Sequence, residues 1–277
     1  MSGLLGTWVN GESAVALPLP DRGLDFGDGL FETLLVRDGV ALFEELHLER
    51  LQRGLKVLSF PSCEDSVNQC LHSVLAECAP HPWVALRLTV TRGAAPRGYA
   101  PPQDSMPRVV ISAAALNKDR SLLESPAHLE WADLRLSTQP ALAGLKHLNR
   151  LEQVLAAQEA ASLGCDEVVL CDQQENVISV AAGNLFIRRE HKLITPRLDG
   201  CGVAGTRRRL ILERLAPELG LEVVEDHLAR QDLEGAQELF YCNALIGLRP
   251  VASLGDIRWD DHSAGEAIHR QMWGQVS

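Results

Sequence analysis

The chain has 277 residues, of which 46% are hydrophobic and 23% are charged, and its formal net charge is -11. Such a length is enough to bury a substantial core in one large or two modest domains. The acidic balance argues against a general nucleic-acid or anionic-membrane surface, although a local basic pocket could still accept a small anion. We therefore expect a small-molecule partner, with no nucleic acid and no membrane.

The cysteine and histidine patterns argue against a disulfide framework and against a metal site. The seven cysteines are scattered without a C-x-x-C pair, and the nine histidines contain no H-E-x-x-H pattern. Both features are typical of a protein with reduced thiols and without a metal. No apolar run approaches the roughly 20 residues that cross a bilayer, and no basic-apolar signal segment opens the chain. These patterns predict a cytoplasmic protein.

The first half of the chain predicts strands and helices in turn. A glycine and aspartate cluster at 21–29 predicts a loop, and residues 30–37, followed by the turn pair Asp38-Gly39, predict a hairpin strand. Leucines at helical spacing predict a helix over 44–58, and a second helix is expected over 65–78. Alternating apolar residues predict strands at 83–91 and 108–114. A polar connector at 116–120 predicts the boundary between a smaller domain, 1–115, and a larger one, 121–277.

The second half also mixes both kinds of element. After a strand at 129–136, Asn149 is a suitable N-cap, Glu152 lies at the capping-box position, and the apolar residues that follow predict a helix ending at Gly164. Strands are expected at 166–171, 176–180, 183–187, 192–195, 221–225 and 238–242. Helices are expected at 206–219 and 258–277. Periodicity alone predicts no more than a mixed α/β fold.

Lys146 is the most informative side chain in the sequence. It is one of only four lysines, and it lies on a predicted loop just before the helix that starts near Asn149. The apolar neighbours Leu145 and Leu148 would partly desolvate its ammonium group. Desolvation lowers the pKa of a lysine and makes its amine a usable nucleophile or Schiff-base partner. An ordinary surface lysine is the alternative interpretation.

Residues 200–205 have the spacing G-x-G-x-x-G and precede a predicted helix. This spacing is found in dinucleotide sites, but here four residues separate the preceding strand from the first glycine, and too little chain follows to build a doubly wound sheet. Backbone N–H groups at the start of a helix can nevertheless hold any phosphate. The segment therefore predicts a phosphate-binding loop rather than a dinucleotide fold.

Three motifs together resemble a known enzyme family. They are GLKHLNRLEQ at 144–153, DRGLDFGDGLFE at 21–32, and H-x-x-R-L at 47–51. The chain resembles the aminodeoxychorismate lyases, pyridoxal-phosphate enzymes of the class IV aminotransferase-like superfamily, over about residues 8–251. The resemblance implies a mixed α/β, two-domain fold type IV enzyme, similar to D-amino-acid aminotransferase, and a homodimer. It also implies cleavage of 4-amino-4-deoxychorismate to 4-aminobenzoate and pyruvate in folate biosynthesis.

The resemblance assigns roles to individual residues. Lys146 would hold pyridoxal 5'-phosphate covalently and act as the catalytic base, and Thr33 would assist proton transfer. The remaining implied cofactor contacts are Arg50, Ser179, Gly205, Thr206, Arg207 and Asn243. The implied substrate contacts are Phe31, Arg97 and Tyr99. For Thr33, a residue that merely favours the strand is an alternative interpretation, and for Arg97 and Tyr99 a solvated loop is.

One position departs from the family pattern. Most members have a glutamate that pairs with the protonated pyridine nitrogen, and this chain has Ser179 there. A serine can hydrogen-bond the nitrogen but cannot stabilise its positive charge. This change favours a lyase over a transaminase. A branched-chain or D-amino-acid transaminase, and a degenerate protein that binds the cofactor without turnover, remain as alternatives.

Overall fold

Two β-sheets, each with helices packed against it, organise the chain in this computed structural model, which describes residues 3–96, 98–102 and 104–276. The chain forms two compact units. The first runs from the amino terminus to Asp119 and includes Leu145–Asn149. The second comprises Arg120–Gly144 and the chain from Arg150 onward. Lys146 thus lies in the first unit, whereas the predicted boundary at 116–120 assigned it to the second.

The first unit is built on a six-stranded sheet in the order β2-β1-β6-β5-β3-β4, in which every neighbouring pair is antiparallel. Its strands are β1 (Gly3–Val9), β2 (Glu12–Ser13), β3 (Gly29–Arg37), β4 (Val40–Ala41), β5 (Trp83–Thr91) and β6 (Arg108–Ala115). Its helices are α1 (Arg22–Phe26), α2 (Glu44–Val57) and α3 (Glu64–Cys78). Alternation along β5 buries Leu86 and Leu88 completely and leaves Arg87 exposed. The helix α2 packs against β3, and the helix α3 packs against β6.

The second unit contains a nine-stranded mixed sheet in the order β12-β11-β10-β13-β14-β7-β8-β9, with β15 paired to β14. Its strands are β7 (Ala127–Leu136), β8 (Glu167–Asp172), β9 (Val177–Val180), β10 (Asn184–Arg189), β11 (Lys192–Pro196), β12 (Glu222–Asp226), β13 (Glu238–Asn243), β14 (Gly247–Leu254) and β15 (Ile257–Arg258). The strand β8 is apolar on both faces because separate core clusters cover them, one containing Val169 and the other Leu170.

The helices of the second unit are α4 (Leu151–Leu163), α5 (Thr206–Leu210), α6 (Ala216–Glu218), α7 (Arg230–Glu234) and α8 (Ser263–Gly274). A π-helical turn, Ile211–Leu215, joins α5 to α6 into one continuous helical segment. Within the described residues, no helix is long and apolar enough to cross a membrane. The mixed α/β class predicted from the sequence is confirmed.

Several local predictions were wrong. The glycine and aspartate cluster contains the short helix α1, because the Asp21 side chain accepts a hydrogen bond from the backbone N–H of Gly23 and caps it. The strands β14 and β15 were missed. The N-cap of α4 is Arg150, one residue later than the predicted Asn149, and the helix begins at Leu151 without a side-chain cap. Asn149 instead donates its amide to the Gly27 carbonyl at 3.3 Å.

Candidate functional site

The segment that carries Lys146 is bound to β3 through its backbone. The N–H of Phe31 donates to the carbonyl of Lys146 at 2.9 Å, and the N–H of Leu148 donates to the carbonyl of Gly29 at 3.0 Å. An isolated antiparallel bridge between Leu30 and His147 lies between these two bonds. The lysine is therefore fixed in register beside the strand, and it does not project from a free loop.

The side chain of Lys146 lies over an aromatic ring. Its Nζ is 4.3 Å from the ring centroid of Phe31, which is 6% exposed. Thr33 follows two residues later on the same strand, so its side chain lies on the same face of the sheet as Phe31. The structure thus brings together three of the predicted residues, Lys146, Phe31 and Thr33. Their assigned roles remain predictions.

Arg87 belongs to this group although the sequence analysis did not select it. The guanidinium carbon of Arg87 lies 3.8 Å from the centroid of the same Phe31 ring. In the antiparallel pair of β3 and β5, Arg87 is directly opposite Thr33. Desolvation lowers the pKa of Arg87. No carboxylate among the described residues pairs with it. In the sequence, Arg87 is the single charged residue of the strand predicted at 83–91, and this break in the apolar pattern could have identified it.

Arg50 lies on α2 and is held by a buried carboxylate. Its Nε donates to Oε1 of Glu32 at 2.8 Å, and its Nη2 contacts the other oxygen. Nδ1 of the fully buried His47 lies 2.7 Å from Oε2 of Glu32. Burial alone would raise the pKa of Glu32, but the charge of Arg50 and hydrogen bonds from His47 and Arg50 lower it to about 2. Glu32 therefore stays ionised and fixes the direction of the Arg50 guanidinium.

In the second unit, the loop between β11 and α5 is fastened by Asn184. The Oδ1 of Asn184 accepts from the N–H of Gly205 at 3.1 Å, and its Nδ2 donates to the Val203 carbonyl at 2.9 Å. A Cβ at Gly205 would lie 2.1 Å from Oδ1 of Asn184, so only glycine fits there. Asn184 was not selected from the sequence. The feature of the sequence that could have identified Asn184 is its position as a polar residue at the start of β10, directly before an apolar run.

Three further implied cofactor contacts, Thr206, Arg207 and Asn243, also lie in this unit. Thr206 and Arg207 open α5 and are buried, and Nη2 of Arg207 donates to the Ala244 carbonyl at 3.3 Å. Asn243 donates to the carbonyl of Ala182 at 3.0 Å and accepts from two backbone N–H groups of the turn that follows it. Its amide thus links two turns of the sheet.

Ser179 lies on β9 opposite Leu170 and is 9% exposed. Within the part of the chain that the structure describes, no group hydrogen-bonds its hydroxyl. Its oxygen is not fully enclosed, so water or a ligand can reach it. Ser179 is therefore available as a hydrogen-bond donor or acceptor for a ligand atom.

The other two implied substrate contacts, Arg97 and Tyr99, belong to a loop that resembles the one that meets substrate carboxylates in the family. Arg97 lies outside the described residues. The Tyr99 side chain is 85% exposed, and its ring packs against Phe26 with centroids 5.3 Å apart. Its carbonyl accepts a hydrogen bond from Nη2 of Arg22 at 2.7 Å. The substrate role of Tyr99 stays a prediction.

A comparison with protein families decides the classification. The profile described as "Amino-transferase class IV" matches residues 29–254. The chain belongs to the class IV aminotransferase family. Both β3, with Phe31 and Thr33, and the Lys146 segment lie within the matched part. The resemblance inferred from the sequence motifs is thereby confirmed.

Individual members of the class IV family divide between two activities. An aminodeoxychorismate lyase of Vibrio harveyi is 34% identical over 259 residues, which is 89% of this chain and 90% of that protein. The crystal structure of 4-amino-4-deoxychorismate lyase from Pseudomonas aeruginosa superimposes with a TM-score of 0.88 at 37% identity, covering 98% of this chain and 97% of that one. A putative branched-chain-amino-acid aminotransferase of Methanocaldococcus jannaschii is 30% identical over 93% of this chain and 86% of its own.

Proposed function

We propose that this class IV protein is a pyridoxal-phosphate-dependent lyase that converts 4-amino-4-deoxychorismate to 4-aminobenzoate and pyruvate in folate biosynthesis. The observation that carries the proposal is the position of Lys146, whose amine lies 4.3 Å from the Phe31 ring on the strand face that also bears Thr33. The similarity to proteins named as aminodeoxychorismate lyases supports the choice of substrate.

The chemistry of the side chains fits the cofactor. The hydroxyl of Ser179 can serve the pyridine nitrogen, because no described residue hydrogen-bonds it and a ligand can reach its oxygen. Asn184 holds the loop at Gly205 in place, and the start of the helical segment that follows offers backbone N–H groups to a phosphate. The residues that would hold the phosphate are Arg50, Gly205, Thr206, Arg207 and Asn243. Lys146 would provide the covalent attachment.

The proposed reaction divides its steps among few residues. Bound pyridoxal phosphate would withdraw electrons from the ring carbon that bears the substrate amine. Once the substrate amine has taken its place on the cofactor, the freed Lys146 amine would remove the proton from this carbon as general base. The enolpyruvyl group leaves from the adjacent carbon, and either the Thr33 hydroxyl or Lys146 protonates it. Formation of the aromatic ring of 4-aminobenzoate makes the elimination favourable.

Arg87 supplies a cation for a substrate carboxylate. The substrate carries carboxylates on its ring and on its enolpyruvyl group, and a guanidinium fork matches a carboxylate in two hydrogen bonds. Arg87 lies at the Phe31 ring and directly opposite Thr33. A bound carboxylate would therefore lie beside the hydroxyl that is proposed to protonate the leaving group.

We further propose a homodimer that works in the cytoplasm. The helix α4 exposes apolar side chains that a second protomer could cover, since Leu151 is 77%, Leu155 51% and Val154 48% exposed. All seven cysteines are free, as expected in a reducing compartment. Light scattering of the purified protein at two concentrations measures the oligomeric state. A monomer at micromolar concentration would contradict the dimer.

The decisive experiment is pyruvate release from enzymatically generated aminodeoxychorismate by the cofactor-loaded protein. Lys146→Ala is expected to abolish release and to lose the covalent adduct that borohydride fixes on the native chain. Lys192→Ala is the matched control, because this lysine pairs with Glu222 at 3.3 Å on the strand β11. The control is expected to retain both properties.

The runner-up function is transamination of branched-chain or D-amino acids, which the similarity to the Methanocaldococcus jannaschii protein favours. The two functions are distinguished by product. A native protein that converts D-alanine or a branched-chain amino acid to its keto acid, while releasing no pyruvate from aminodeoxychorismate, would contradict the lyase. A chain that binds no cofactor on Lys146 would instead indicate a degenerate member.

A further inference from the structure

The glycine and aspartate motif at 21–29 contains a buried ion cluster that the proposed chemistry does not use. Oδ2 of Asp28 accepts hydrogen bonds from Nε of Arg22 and from Nε of Arg92, each at 2.8 Å. The side chains of both arginines are 5% exposed. One carboxylate therefore fixes two guanidinium groups, and each group keeps its two terminal nitrogens for other partners.

The two arginines hold different segments. Arg22 donates from Nη1 to the Gly98 carbonyl at 2.8 Å and from Nη2 to the Tyr99 carbonyl at 2.7 Å. Its guanidinium also lies 4.9 Å from the ring centroid of Phe26, which packs against the Tyr99 ring. Arg22 thus contacts the loop that carries Tyr99 at two consecutive carbonyls and, through Phe26, at its side chain.

Arg92 makes an equivalent set of contacts elsewhere. Its Nη1 donates to the Ser59 carbonyl at 3.1 Å, its Nη2 donates to the Leu58 carbonyl at 2.7 Å, and it lies 4.0 Å from the centroid of the Phe60 ring. These residues follow the end of α2. The two arginines therefore match in burial, in their carboxylate, in the number of carbonyls and in the aromatic ring, and differ in the segment that they hold.

We propose that Arg22, held by Asp28, is a positioning residue that keeps the Tyr99 loop ready to bind the substrate's carboxylates. Residues 98–102 lie outside helices and strands, so their order depends on such contacts. Without the two carbonyl contacts, substrate binding has to order the loop, which weakens binding and leaves the chemical step unchanged. The substrate part of this inference rests on the proposed function, whereas the anchoring of the loop does not.

The test compares Arg22→Lys with Arg92→Lys. Each variant keeps the positive charge beside Asp28 but loses the planar fork that reaches two carbonyls. Trypsin still cleaves at both positions, so the number of cleavage sites is unchanged. The readout is the initial rate of cleavage of the bond between Arg97 and Gly98, measured by mass spectrometry of the holoenzyme. It reports loop opening and needs no activity.

Arg22→Lys is expected to speed this cleavage roughly fivefold or more, as the loss of about one net hydrogen bond predicts. Arg92→Lys is expected to stay within about twofold of the native rate. In steady-state kinetics, Arg22→Lys should raise KM by up to about fivefold with little change in kcat, and Arg92→Lys should leave both unchanged. Asp28→Asn, which retains both arginines, should also speed the cleavage and provides the test if Arg22→Lys does not fold.

The outcomes separate the two proposals. Equal cleavage rates in the two lysine variants, or a native rate in Arg22→Lys, would overturn the anchoring role. Faster cleavage with an unchanged KM would overturn the link to the substrate. The expected cleavage difference in a protein without lyase activity would overturn the proposed function and leave the anchoring role supported.

Discussion

Replacement of Glu32 by glutamine removes one buried negative charge and little volume. The side chain is 1% exposed and contacts Arg50 and His47. The pKa of Glu32 falls from 4.5 to about 2 in the folded chain. At about 1.4 kcal/mol for each pKa unit, this shift corresponds to roughly 3 kcal/mol of stabilisation at neutral pH. For a chain of this size, Glu32→Gln is then expected to lower Tm by about 6–12 °C.

The stability that Glu32→Gln loses depends on pH, and the direction of this dependence follows from the pKa shift. Because the folded pKa is below the unfolded one, the stabilisation is fully present above pH 4.5 and is lost as the pH falls toward about 2. Urea unfolding, followed by circular dichroism from neutral to acidic pH, should therefore show the native and variant curves converging at low pH. The titratable His47 and the positively charged Arg50 are the groups that contact this carboxylate.

Asp38→Asn is the matched control, since this carboxylate forms an exposed pair with Arg37 at 3.7 Å in the same unit. It is expected to leave the unfolding midpoint unchanged. A Glu32→Gln variant as stable as the native chain at neutral pH, or one whose deficit stays constant into the acid range, would refute the assignment of Glu32 as an ionised anchor of Arg50.

Three further changes test other parts of the molecule. Arg87→Leu should raise KM for aminodeoxychorismate roughly tenfold to a hundredfold, because a charge-assisted contact is lost, while the cofactor absorbance titration stays native. Gly205→Ala should weaken cofactor binding at least tenfold in that titration, since its Cβ would lie 2.1 Å from Oδ1 of Asn184; unchanged affinity would contradict the phosphate loop. Burial raises the pKa of Glu167 from 4.5 to about 7, so ionisation of this carboxyl opposes folding as the pH rises through this range. The Glu167→Gln variant should therefore unfold at a higher urea concentration than the native chain above pH 7, but not at pH 4.5.

The regular elements were predictable where one physical signal dominated. The strand β5 and the helix α2 follow directly from period-two and helical spacing of leucines and valines. Asn149 and Glu152 do not form the predicted capping box because tertiary partners take both side chains. Asn149 bonds to Gly27, and Glu152 accepts from the N–H of Ser137 at 2.8 Å. A local capping pattern does not reveal such a competition.

The site was predictable to the extent that motifs mark it. Lys146 and Thr33 lie in recognisable sequence patterns, and the structure brings both to β3. Arg87 was missed because its significance depends on cross-strand pairing with Thr33, and pairing register is a long-range property. The exposed α4 side chains, such as Leu151, were missed for a related reason, since helical periodicity does not say whether an apolar face packs within the chain.

The backbone bonds that hold residues 145–149 along β3 have a consequence for engineering this protein. Because main-chain partners hold the backbone of Lys146, we expect substitutions beside it that keep these bonds to leave the lysine in place. An inserted residue would be far more damaging than a substitution beside Lys146 that keeps these backbone bonds. A shift of one position along a strand turns every side chain to the opposite face, so a single insertion before Lys146 would direct its amine away from Phe31. Libraries built on this scaffold should therefore vary composition here and preserve length.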